Sequence, residues 1–279
     1  MITLPISNIN SYNNKLYNPT FQKRISVANS QWNKIAGDWI EVKRNNNTDI
    51  LNKSITYPEL KRLMGNVKGK KVLDLGCGEG YSSRQMAEYG AEVTGIDFSP
   101  KLINRAKEIN ISDSRSVNYL HGDMTNLNKI ADGSQDKVVS VMSFMYLNTK
   151  NIEKALLEAK RVLKDDGELI IVTKHPFTTR NNLSNRAENP HTMNYLESYF
   201  RKKVFSYTLN LNNICEKLPI YPQTVSSMYN LIKRSGFEVT EMSEPAPIKA
   251  AMERYKGNPH LEFYNNNPMI LCIKAKKKA

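Results

Sequence analysis

The chain has 279 residues, room for one large domain with additions, and its 40 Lys and Arg against 27 Asp and Glu give a formal charge of +13. The excess is uneven: residues 1–70 carry 11 basic and 4 acidic side chains, residues 274–279 add four lysines, and the body 71–273 is close to neutral with 25 basic and 23 acidic ones. That distribution argues against a uniformly basic nucleic-acid domain.

Apolar runs such as 169–173 and 269–273 are far shorter than the roughly 20 residues that cross a bilayer, so no membrane partner is expected. Three cysteines at wide spacings (Cys77, Cys215, Cys272) support neither a disulfide framework nor a zinc site. A reducing cytoplasm and a metal-free site are the expectation.

Residues 1–20 show no clear period and read as an arm. From 21 to about 43, Ile25, Ala28, Trp32, Ile35, Ala36 and Trp39 recur at helical steps, which predicts an amphipathic helix. A short helix is expected over 58–64, closed by Gly65. From 70 onward the pattern alternates: strands at 71–75, 92–97, 116–121, 136–142 and 168–174, with helices at 81–89, 100–109 and 151–163. Such alternation implies a parallel sheet covered on both faces, a doubly wound α/β fold. A helix at 224–235 follows, then strands at 237–242 and 269–274 joined by a long Pro-containing loop. The alternation is interrupted between 177 and 222 by an aromatic-rich stretch, read as a substrate-cap insertion. The expected division is 1–65 as arm and lid helices and 66–279 as the main domain.

The segment Val72-Leu73-Asp74-Leu75-Gly76-Cys77-Gly78-Glu79-Gly80 is an apolar strand entering a glycine-rich turn before a helix. Glycines let the backbone approach a ligand, and the helix start offers free N–H groups. A dinucleotide fingerprint would need glycine at position 81, which is Tyr, and no Gly-Lys-Ser/Thr follows for a P-loop. Asp97 ends the next strand, where a carboxylate can accept both ribose hydroxyls.

These residues resemble the class I S-adenosylmethionine-dependent methyltransferases. The resemblance continues through Gly95-Ile96-Asp97-Phe98-Ser99, Gly122-Asp123-Met124, 136–140 and 161–169, and Lys174-His175-Pro176 with Glu244-Pro245-Ala246-Pro247 resembles a small-molecule subgroup. It implies a Rossmann-like seven-stranded sheet, mostly parallel with an antiparallel last strand, and S-adenosylmethionine as cofactor. Residue by residue it implies that Gly76 and Gly78 pass the methionyl part and that Asp74 orients the loop or the amino group. Asp97 would hold the ribose and Phe98 lie against the adenine. Asp123 and the Met124 N–H would meet the adenine edge, and Met142 would line the methionine portion. Asp74 as a loop-organising carboxylate and Asp123 as a helix N-cap remain alternatives.

Methyl transfer needs alignment in a dry pocket, and a base only where the acceptor must lose a proton. His175, directly after the fifth predicted strand, is the first candidate for base or acceptor-orienting residue, and Tyr146 the polar group after the fourth. Relatives with L-x-L-H-Y carry histidine where Met145 stands here. His191 in the cap, and Trp32 and Trp39 as a lid rather than core, are candidate substrate contacts. The expected reaction is methylation of a small-molecule O, N or carboxylate acceptor, in specialised metabolism. An RNA-modifying methyltransferase and a non-catalytic binding subunit of the same fold are the rival readings.

Overall fold

The computed structural model describes residues 31–37, 50–111, 116–180, 199, 205–211 and 214–278. Residues 31–37 are helical, and a π-helical turn Asn52–Thr56 runs directly into α1 (Tyr57–Met64). Then come β1 (Lys71–Leu75), α2 (Tyr81–Glu88), β2 (Glu92–Asp97), α3 (Pro100–Ile111), β3 (Val117–His121), β4 (Gln135–Val141), α4 (Thr149–Val162) and β5 (Leu163–Lys174). The chain continues through α5 (Pro176–Arg180), a hairpin of β6 (Phe205–Leu211) and β7 (Ile214–Ile220), α6 (Val225–Arg234), β8 (Phe237–Ser243), α7 (Lys249–Arg254), α8 (Pro259–Asn266) and β9 (Ile270–Lys277).

Seven strands form one sheet in the order β3-β2-β1-β4-β5-β9-β8, with β9 antiparallel to both neighbours and the other six parallel to one another. Successive strand residues point to opposite faces, so Val72 and Leu73, Val138 and Val139, Ile170 and Ile171 divide between two cores. Leu73, Val138 and Ile171 meet Ile152, Leu156 and Ile232 of α4 and α6; Val72, Val139 and Ile170 meet Leu60, Met86 and Ile103 of α1, α2 and α3. This two-sided burial makes the strands nearly continuous apolar runs.

Two expectations are corrected. The segment between the last two strands is not an irregular loop: it holds α7 and α8, the latter started by Asn258, whose side chain accepts from the N–H groups of His260 and Leu261. The prolines there read as breakers, yet Pro259 sits in the first turn, where no N–H is needed. The lysines from 274 onward are not a free tail either. Lys274 pairs with Glu168 at 3.0 Å and Lys277 with Asp165 at 3.0 Å, both from within β9.

Candidate active site

The strand order reverses between β1 and β4, so loops leaving those two strands diverge and open a crevice beyond their carboxyl ends. The glycine loop enters it from β1 and residues 142–146 from β4. Gly76 (φ 74°), Gly78 (φ 57°) and Gly80 (φ 85°) all lie in the left-handed region. A Cβ on Gly76 would stand 2.5 Å from the Ser143 Cβ, whereas one on Gly78 would project into open space. One glycine is therefore demanded by packing, and the other leaves the crevice clear.

The loop is tied down from three sides. The Gly76 and Cys77 N–H groups donate to the Ile96 carbonyl at 2.8 and 3.0 Å. Asp97 accepts from the Gly78 N–H at 2.9 Å and from the Ser99 N–H at 2.8 Å. A carboxylate has about four lone-pair sites, so acceptor capacity remains for a diol. Ser143 donates its hydroxyl to the Leu75 carbonyl at 2.9 Å, closing the loop against β4. Next to it Met142 adopts φ 56°, a left-handed conformation that costs a non-glycine residue on the order of 1–2 kcal/mol.

Asp74 is buried beneath the loop. Its Oδ2 accepts from the Ser83 hydroxyl at 2.6 Å, while its Oδ1 is buried without a partner. Burial pushes its pKa up to about 7, with the nearby Asp97 adding to the rise and the Ser83 bond opposing it. Burial likewise raises Asp97, against the pull of its two backbone donors. Asp123 accepts from the Thr125 N–H at 2.8 Å, which makes an Asx turn rather than a helix cap, and its carboxylate stays exposed. Met124 sends its side chain into the core and its terminal methyl toward Gly76. Phe98 is half-buried, its carbonyl held by the His121 imidazole at 3.0 Å.

These residues fit the cofactor the sequence implied. An unpartnered carboxylate oxygen lies beneath the glycine loop, open space lies over Gly78, and a carboxylate with spare acceptor sites ends the neighbouring strand.

Comparison with known proteins agrees. A methyltransferase-domain family profile matches residues 73–171. A Listeria monocytogenes protein classed with the S-adenosylmethionine-dependent methyltransferases superposes with a TM-score of 0.64 at 26% identity, covering 80% of this chain and 96% of that one. Residues 73–171 thus carry a methyltransferase domain, on a fold shared with S-adenosylmethionine-dependent methyltransferases. Demethylmenaquinone methyltransferase from Tropheryma whipplei is 38% identical over 120 residues, 41% of this chain and 46% of the relative. An uncharacterized Haemophilus influenzae protein is 28% identical over 236 residues, 81% of this chain and 89% of the relative. The chain thus spans less than half of the named enzyme.

Trp32 of the 31–37 helix meets the Tyr146 ring edge-on, with centroids 5.3 Å apart. Asn33 of the same helix accepts from the Ser99 hydroxyl at 2.7 Å. One short segment therefore touches both the β2 and β4 ends of the crevice. The Tyr221 N–H, just past β7, donates to the Met145 carbonyl at 2.9 Å, which brings the end of the 205–220 hairpin to the same edge. Trp39 and His191 lie outside the described residues.

His175 is engaged at both ring nitrogens. Its ring is buried, Nε2 stands 2.7 Å from Glu244, and Nδ1 accepts from the Phe177 N–H at 3.2 Å. The backbone donor fixes the tautomer, so the proton sits on Nε2 and points at Glu244. Burial lowers the ring's pKa, against the pull of Glu244. Neither nitrogen is free to take a proton from an acceptor in this arrangement. Among the described residues no group of His, Cys, Asp and Glu could hold a metal ion, and no helix is long and apolar enough to cross a membrane.

Sequence reading missed Ser83, Ser143, Asn33 and Glu244. Only Glu244 had a signal, since it opens the Glu-Pro-Ala-Pro segment that accompanies Lys-His-Pro.

Proposed function

We propose that the chain methylates a small-molecule O, N or carboxylate acceptor. The observation that supports this is the crevice beyond β1 and β4, with the unpartnered Asp74 Oδ1 beneath its glycine loop, clear space over Gly78 and the Asp97 carboxylate at the end of β2. Bound S-adenosylmethionine supplies a methyl group already activated on a sulfonium. The chain's own residues then bind, align and exclude water. Asp97 receives the ribose hydroxyls, Phe98 covers the adenine, and Asp123 with the Met124 N–H meets its edge. Gly76 and Gly78 flank the methionyl part with Met142, and Asp74 faces the ammonium. Trp32 and Tyr146 close the acceptor side. Small-molecule acceptors are supported by this narrow aromatic closure and by the demethylmenaquinone enzyme among the relatives.

The Asp74 placement has a measurable sign. Its pKa of about 7 keeps it largely protonated in the ligand-free protein at lower pH. An ammonium beside Oδ1 favours the ionised form, so binding releases a proton. The association constant of S-adenosylhomocysteine is expected to rise about tenfold per pH unit up to roughly pH 7 and then level off. Asp74→Asn is expected to remove most of that slope. Calorimetry in buffers of different ionisation heat reads the released proton directly. A flat affinity between about pH 5.5 and 8 would sink the placement.

His175 is assigned to holding α5 against the loop after β8. His175→Ala is expected to cost about 2 kcal/mol in the thermal denaturation of the S-adenosylhomocysteine complex, because it strands a buried donor and opens a cavity. His175→Gln keeps a donor toward Glu244 and is expected to recover about half of that loss. If Gln destabilises as much as Ala, the Glu244 contact carries no weight.

A further inference from the structure

A buried ion pair at the far end of the glycine loop lies outside the contacts assigned to the cofactor. Arg84, on α2, has a side chain only 8% exposed, and its partner Glu79 one 13% exposed. The guanidinium grips that one residue twice. Nη2 donates to the Glu79 Oε2 at 2.8 Å, and Nη1 to the Glu79 main-chain carbonyl at 2.7 Å. It also donates to the Tyr119 hydroxyl of β3, which in turn donates to the Gly80 carbonyl at 3.2 Å. Tyr119 lies so close that a Cβ on Gly80 would stand 2.1 Å from its oxygen. Arg84, Tyr119 and Asp97, which accepts the Gly78 N–H, therefore fasten all three residues of the Gly78-Glu79-Gly80 segment.

Stability alone does not require this arrangement. The desolvation of an arginine and a glutamate roughly cancels their attraction, and a well-packed apolar pair of similar volume serves a fold as well or better. An apolar pair cannot hold a main-chain carbonyl. Glu79 stands between two glycines, the residues with the widest choice of backbone conformations and the most freedom to lose when one is imposed. Both glycines sit at positive φ, 57° at Gly78 and 85° at Gly80. Left unfastened, such a segment would spend part of its time in shapes that close the space over Gly78, and ligand affinity would fall in proportion to the open fraction.

We infer that Arg84 is a positioning residue for the cofactor: by clamping Glu79 at its carboxylate and its carbonyl, it holds the Gly78–Gly80 segment open for S-adenosylmethionine before the cofactor arrives. The inference rests on the methyltransferase reading and deepens it. Arg84 touches no ligand in this role. Its effect passes through the population of loop shapes that can accept one.

The test uses the full chain and S-adenosylhomocysteine. Arg84→Met strands the Glu79 carboxylate and is expected to lower the melting temperature of the ligand-free protein by about 5–10 °C. Combining it with Glu79→Met leaves no stranded charge and is expected to bring the melting temperature back to within about 3 °C of wild type. Affinity is expected not to return with it. Both variants should bind S-adenosylhomocysteine about tenfold or more weakly by calorimetry, and surface plasmon resonance should place the loss in the association rate, with dissociation within about threefold of wild type. Arg84→Lys keeps the charge without the planar fork that reaches two oxygens, and is expected to bind at least about threefold more weakly. Wild-type affinity in the double variant overturns the inference, by making the pair a contact of the fold alone. Wild-type affinity in Arg84→Lys overturns it too, and decides the matter if the double variant does not fold. A loss that falls on dissociation also overturns it, by giving Arg84 its part in the bound state. Wild-type protein that fails to bind S-adenosylhomocysteine would instead defeat the underlying function.

Discussion

Asp97→Ala is expected to weaken S-adenosylhomocysteine binding by about 100- to 10 000-fold, from two hydrogen bonds to a charged acceptor at about 1.5–3 kcal/mol each. The carboxylate also accepts the N–H groups of Gly78 and Ser99, so it shapes the loop as well as the ligand contact. Asp97→Asn separates the two contributions. Its single amide oxygen still accepts one backbone donor, but its NH2 faces the other, so loop order suffers less than in Ala while ligand affinity stays far below wild type. Calorimetry reads affinity, and thermal denaturation of the ligand-free protein reads loop order. An Asp97→Ala affinity within about threefold of wild type would remove the carboxylate from the site.

That residue could be named from the sequence because everything fixing it is local. An apolar run long enough for one strand ends in an acid, and the strand before it ends in glycines. Strand direction then places both at the same edge. The same locality made β1, β2 and β4 legible to within a residue or so. Contacts between distant segments were not legible. His175 and Glu244 are 69 residues apart, Asn33 and Ser99 are 66 apart, and no periodicity encodes which loops a fold brings face to face. A histidine after a strand reads equally well as a base or as a clasp, and only the positions of Glu244 and the Phe177 N–H favour the clasp. The prolines before α7 and in the first turn of α8 hid two helices for a related reason: a proline breaks a helix interior and suits a helix start, and composition does not say which position it holds. The lysines of β9 misled in the opposite sense. Read as a tail they were surplus charge; in the sheet, Lys274 and Lys277 face Glu168 and Asp165, which lowers the free positive charge that motivated an RNA-binding alternative.

The two glycines of the loop separate fold from function within a span of three residues. Gly76→Ala places a Cβ 2.5 Å from the Ser143 Cβ and 3.1 Å from the Met124 terminal methyl, at φ 74°. The left-handed backbone costs roughly 1–2 kcal/mol and the overlap another 1–3, since Ser143 is held by its bonds to Leu75 and Ser140 and cannot retreat freely. The melting temperature is expected to fall on the order of 10 °C. Gly78→Ala carries only the backbone cost, about 1–2 kcal/mol, because its Cβ meets nothing among the described residues. That same empty space is the proposed cofactor path, so Gly78→Ala is expected to lose about tenfold or more in S-adenosylhomocysteine affinity with a melting shift of only about 2–5 °C. Comparable melting losses in the two variants would mean that Ser143 yields; unchanged affinity in Gly78→Ala would mean that the cradle is not the cofactor path. The large stability loss belongs to the glycine whose neighbour is protein, and the large binding loss to the glycine whose neighbour is space.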